Sequence, residues 1–165
     1  MDDKLKAIYK AIYEGEAKAA LRLKLFAKQA DREDLSQIAQ LFRVISFSEE
    51  IHGERALRML KEIKSTEENL KDSFESEATV AEVAYDQFLK VASDVGDKAA
   101  SIIFSHSRDV EDIHAKLYKK ALDHLMTETQ TTYYVCQVCG YVSDGVLPDA
   151  CPVCSAPQNQ FREFK

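Results

Sequence analysis

Cysteine is absent from this 165-residue chain until Cys136. All four cysteines, Cys136, Cys139, Cys151 and Cys154, lie near its end. A secreted disulfide scaffold would spread cysteines through its elements, so that class is excluded. Glycine and proline are scarce, at five and three residues, too few for a turn-rich all-β protein. No apolar run approaches the roughly 18 residues of a membrane span. The opening MDDKLKAIYK does not read as a signal peptide. Positive charge is in deficit: 22 Lys and Arg against 28 Asp and Glu give a net charge of −6. That balance argues against nucleic acid or an anionic membrane as a partner. A soluble, cytoplasmic, mainly helical protein is expected.

The cysteines that are present form two Cys-x-x-Cys pairs, Cys136/Cys139 and Cys151/Cys154, with a short stretch between them. This spacing reads as a tetrahedral thiolate metal site, though it does not tell iron from zinc. Tyr134, Tyr141, Phe161 and Phe164 are expected to form a tiny core around it. The segment TETQTT (127–132) reads as a polar linker. Two domains are therefore expected, a helical one over 1–130 and a metal-binding one over 131–165.

Apolar periodicity predicts four helices in two similar pairs. The first runs from about Asp2 to Ala30, with Leu5, Ile12 and Ala20 among its inward residues. The second runs from about Leu35 to Ile63, with Ile38, Phe42 and Ile45 inward. Ser65 and Glu68 form a capping box opening the third helix, which carries Leu70, Phe74, Ala81, Tyr85 and Phe88. Gly96 closes it. The fourth runs to about Met126, with Ile103, Phe104, Ala115 and Leu125 inward.

Polar residues interrupt these stripes. Glu16, Glu49, Glu77 and Glu111 fall on inward faces, with His52 one turn after Glu49 and His114 one turn after Glu111. Unpaired buried carboxylates cost several kcal/mol each, and no inward Lys or Arg is evident to neutralise them. Four carboxylates match the charge of two divalent cations, and two neutral imidazoles complete the donor set. Glu-x-x-His places both donors on one helical face. It occurs at Glu49–His52 and again at Glu111–His114. A lone inward Glu precedes each copy, and the step from Glu16 to Glu49 nearly equals that from Glu77 to Glu111. This is the pattern of an internal duplication and of dinuclear carboxylate bundles. Glu75 is the alternative to Glu77 if the helical register differs. His106 and His124 match no repeat position and read as surface or rim residues. Tyr85 is a core position whose hydroxyl could also reach a ligand.

A bundle with Glu and Glu-x-x-His repeated, followed by a Cys-x-x-Cys-Gly…Cys-Pro-x-Cys tail, resembles the rubrerythrin family. The resemblance runs from about Glu14 to Phe164. It implies a ferritin-like four-helix bundle followed by a small rubredoxin-like domain. It implies a di-iron centre held by Glu16, Glu49, His52, Glu77, Glu111 and His114. One further iron would be held by Cys136, Cys139, Cys151 and Cys154, with zinc as a possible substitute. The implied activity is a non-haem di-iron peroxidase, an oxidoreductase reducing hydrogen peroxide to water in oxidative-stress defence. Electron transport would run from rubredoxin or NAD(P)H-dependent reductases through the thiolate iron. The alternative is an oxygen-reducing ferroxidase or iron-handling protein. Two positions depart from the family pattern. Val80 stands where many members carry an additional carboxylate, and Leu23 where the family often places a Tyr.

The connection between the second and third helices carries a further expectation. The second helix is expected to run past His52 to Ile63, and the third to start near Thr66, well before Glu77. In a single-chain bundle of this kind the link must return about 30 Å, which needs at least about nine extended residues. Lys64 and Ser65 cannot span that. A homodimer is expected in which helical halves swap between chains.

Overall fold

The computed structural model describes residues 1–123 and 131–165. The expected end of the fourth helix near Met126, the inward Leu125, the rim position His124 and the proposed boundary after residue 130 lie outside them. So does most of the linker. The chain forms two compact units, Met1–Lys64 and Ser65–Lys165. It is mainly helical, with a small four-cysteine domain at its end.

The first unit is a helical hairpin. Helix α1 spans Asp3–Arg32 and starts where the Asp2 side chain accepts from the Lys4 and Leu5 amides. The negative charges of Asp2 and Asp3 suit the positive end of the helix dipole. Asp34 takes a left-handed conformation (φ 58°) in the turn, and α2 spans Ser36–Leu60. The two helices meet through small residues: Ala20, Ala27, Ala30, Ala39, Gly53 and Ala56 are buried. Ser46, also buried, donates from Oγ to the Ala20 carbonyl at 2.9 Å. Phe26 and Phe42 pack edge to face at 5.7 Å.

The larger apolar side chains do not follow the expectation. Leu5, Ile12, Ile38 and Ile45 are exposed, as are Phe88 and Ile103 in the second unit. The reason is geometric. A hairpin of two helices buries only the stripe where they touch, and alanines occupy that stripe. The wider apolar face is left over.

In the second unit the Ser65–Glu68 capping box is present and opens α3, Thr66–Thr79. The helix continues through a short π segment, Val80–Ala84, into α4, Tyr85–Asp94. Gly96 (φ 71°) ends it, with the Asp97 amide donating to the Ala92 carbonyl at 2.9 Å. That long-reach bond with a left-handed glycine satisfies carbonyls the helix end leaves open. Asp97 then caps α5, Lys98–Asp123, by accepting from the Ala100 amide. Tyr85, Phe88 and Phe104 form an aromatic run between α4 and α5, at 5.5 and 5.8 Å between successive rings.

The four-cysteine domain has three antiparallel strands in the order β2-β1-β3. They are β1 Tyr133–Cys136, β2 Val142–Asp144 and β3 Phe161–Phe164. Its core gathers Cys136, Cys151 and Ala156, with Tyr141 and Phe161 packed against them. Phe164, expected inside, is exposed and carries the Arg162 guanidinium over its ring at 4.7 Å.

Candidate metal centres

Each helical unit brings together one copy of the repeated motif. In the first, Glu16 from α1 joins Glu49 and His52 from α2, with one donor atom of each within 4.8 Å of the others. His52 Nδ1 lies 3.0 Å from Glu49 Oε2 and 3.9 Å from Glu16 Oε1. Gly53, next to His52, lies against α1 here: a Cβ on it would stand 3.8 Å from Glu16 Cβ. A cavity of about 520 Å³ opens beside the cluster, lined by Tyr9, Glu16, His52, Arg55 and Arg58 among others. Glu50, off the motif, pairs instead with Lys24 at 2.6 Å.

The second unit repeats the arrangement with Glu77 from α3 and Glu111 and His114 from α5. His114 Nδ1 lies 3.0 Å from Glu111 Oε2, matching the distance in the first cluster. Glu77 is therefore the α3 residue that faces this pair, and Glu75 is exposed. Burial, the Glu111 charge and a hydrogen bond to Glu111 hold the Glu77 carboxyl above its ordinary value. Two facing carboxylates share a proton when no cation separates them. Tyr85 follows the π segment directly and packs against Phe88.

In the tail, Cys136 Sγ is 3.7 Å from Cys154 Sγ and Cys139 Sγ is 3.6 Å from Cys151 Sγ. A tetrahedron of ~2.3 Å metal–sulfur bonds has edges of about 3.8 Å. The sulfurs thus have the spacing of a filled thiolate site. Two matching turns build it. The Gly140 amide donates to the Cys136 carbonyl and the Ser155 amide to the Cys151 carbonyl, each at 2.9 Å. Gly140 and Ser155 both take positive φ. Burial raises the Cys136 thiol, but amides of Cys139 and Val138 donating to its sulfur outweigh that and lower it. Burial raises Cys139 and Cys154. Four thiols this close hold several thiolates only around a cation.

The donor sets fit the metals the motifs imply. Oxygen and imidazole donors with balanced charge suit divalent first-row ions, and four sulfurs at tetrahedral spacing suit iron or zinc. Periodicity carried no hint of the π segment beside Glu77, or of the contacts between the tail and α5. Neither has a repeating signal, because both arise from tertiary placement.

Comparison with known proteins agrees with this geometry. Rubrerythrin-2 of Clostridium acetobutylicum is 27% identical, over 94% of this chain and 94% of that protein. Nigerythrin of Nitratidesulfovibrio vulgaris is 25% identical, over 94% and 84%. The solved structure of nigerythrin in its fully reduced, all-ferrous state has a TM-score of 0.60 at 25% identity, covering 97% of this chain and 86% of that one. No helix of the described residues is long and apolar enough to cross a membrane. The tail matches the rubredoxin-like domain of rubrerythrin over residues 134–162. The helical part matches rubrerythrin itself over residues 8–122, and the chain belongs to the rubrerythrin family.

Proposed function

We propose that this protein is a cytoplasmic non-haem di-iron peroxidase that reduces hydrogen peroxide to water. The observation that carries the proposal is the repeated cluster, Glu16/Glu49/His52 and Glu77/Glu111/His114, on a chain that also holds a four-cysteine site. In this reading the two clusters are halves of one dinuclear site. Iron held there supplies, when bound, the two electrons that convert one hydrogen peroxide and two protons into two waters. Glu16, Glu49, Glu77 and Glu111 would neutralise the cations, and His52 and His114 would offer Nδ1, the nitrogen beside the carboxylates. The Glu77 carboxyl, raised by burial and by the facing Glu111 while no cation separates them, would give up its proton as metal binds. The Tyr85 hydroxyl orients bound substrate. Cys136, Cys139, Cys151 and Cys154 would hold an iron, which would supply one-electron chemistry for electrons from rubredoxin or an NAD(P)H-dependent reductase.

The halves meet across a swapped homodimer. Helix α2 continues past His52 to Leu60, and α3 begins at Thr66, three turns before Glu77. At 1.5 Å per residue a single-chain bundle would need a return of about 28 Å. Lys61–Ser65 reaches about 20 Å at full extension. The exposed Ile12, Ile38, Ile45, Phe88 and Ile103 supply an apolar face for a second chain.

Val80 favours a second reading, an oxygen-reducing ferroxidase, because it removes a carboxylate that many relatives use. Anaerobic mixing of the reduced protein with stoichiometric peroxide or oxygen distinguishes the two. A peroxidase reoxidises its thiolate iron faster with peroxide. Faster reaction with oxygen supports the ferroxidase.

A further inference from the structure

The four-cysteine domain touches α5 of its own chain at three points. The Gly140 carbonyl lies 3.3 Å from His114 Nε2. Val110, one turn before His114, is only 3% exposed, and a Cβ on Gly140 would stand 3.7 Å from its Cγ1. Further along α5, Lys120 Nζ donates to Asp144 Oδ2 on β2. The other oxygen of Asp144 accepts from Thr131 Oγ1 at 2.6 Å. The Asp144 side chain is largely covered and held from both sides, while Lys120 reaches it from an exposed position on α5.

These contacts decide how His114 is presented. A carbonyl oxygen only accepts, so the Gly140 contact calls for a proton on Nε2, which leaves Nδ1, on the Glu111 side, as the nitrogen that can bind a metal. A ligating imidazole whose second nitrogen donates to a carbonyl is fixed in tautomer and ring orientation. His52 has no such support: its Nε2 has no hydrogen-bond partner among the described residues. We propose that the four-cysteine domain is a positioning element for the carboxylate–histidine cluster of its own chain. The Gly140 carbonyl holds His114 as an Nδ1 ligand, and the Lys120–Asp144 pair clamps the domain in that place. The inference rests on the metal-centre reading above.

Two experiments on the full chain test the two halves of this inference separately. Zero-length carbodiimide coupling joins an amine and a carboxylate that are in contact. The wild-type protein is expected to yield a coupled Lys120–Asp144 peptide. Cells producing a Lys120→Met chain together with an Asp144→Asn chain are expected to yield none, because only a contact between chains could then couple. A coupled peptide from that mixture, or none from wild type, overturns docking within the chain whatever the metals prove to be.

Cobalt(II) titration then tests positioning, with the four-cysteine site filled by zinc beforehand and visible absorption as the readout. Lys120→Met is expected to bind cobalt at the carboxylate–histidine centre about tenfold more weakly, the low end for losing a ligand's outer partner. Lys120→Arg, which keeps the clamp, is expected to restore wild-type affinity. Unchanged affinity in Lys120→Met makes the contact mere packing and overturns positioning. No cobalt absorption in wild type overturns the metal-centre reading, and the positioning role with it.

Discussion

The two copies of the motif have the same donors and different surroundings. In the first, His52 stands 49% exposed beside an open cavity on an alanine-lined hairpin. In the second, His114 is 26% exposed, bound at both ring nitrogens and flanked by the four-cysteine domain. The Glu–His distance of 3.0 Å is common to both. The shared Glu-x-x-His spacing on a helix accounts for that distance in both. What surrounds the donors differs, and it separates a supported half from an open one. A π segment lies close beside Glu77 in the supported half only, among the described residues. Such insertions are frequent at functional sites, where they re-aim the side chains around them.

The largest effect should come from removing one carboxylate from each half. If the halves build one site, Glu49→Ala and Glu111→Ala should each lose both carboxylate-held metals, and the contrast between them should vanish. Peroxide turnover should fall at least about 100-fold, since even a ligand's outer partners cost about 10–100-fold in affinity. Metal analysis checks this, and retention of one metal in either variant would make the halves independent. Next comes the exposed face. Ile103→Lys places a charge at a position 61% exposed in the single chain. Burying it between chains costs several kcal/mol, so self-association measured by sedimentation should weaken about 100-fold or more.

Cys151→Ser should remove the tail metal and slow internal re-reduction about tenfold or more. Helicity by circular dichroism should be unchanged, because the cysteines pack among themselves. The smallest effect concerns Glu77. Its carboxyl is raised in the fold above the ordinary 4.5, so the metal-free folded protein holds a proton that the unfolded chain releases. Stability of the metal-free protein should therefore fall as pH rises from about 4.5 toward neutrality. Glu77→Gln should flatten that slope in urea titrations across pH, and metal loading should reverse it.

Much of this was legible from the residues. Carboxylates on apolar stripes announce themselves, because burial without a cation is too costly. The near-equal steps from Glu16 to Glu49 and from Glu77 to Glu111 mark both halves. The Cys-x-x-Cys pairs announce a metal through spacing alone, and the Ser65–Glu68 box marked the start of α3. Periodicity did mislead at Ile12, Ile45 and Ile103, which it placed in a core that one hairpin does not possess. It records which face must be covered, not whether the same chain covers it. The Gly140–His114 contact joins two residues far apart in the sequence, and no local pattern encodes such a meeting.

Whether the two matched clusters form one centre decides the rest. Electron paramagnetic resonance of iron-loaded protein, titrated anaerobically to one electron per pair, answers that question. Two irons sharing four carboxylates should give an exchange-coupled mixed-valence signal, lost in both Glu49→Ala and Glu111→Ala. Uncoupled ferric signals that disappear separately in the two variants would show two mononuclear sites and refute a shared centre.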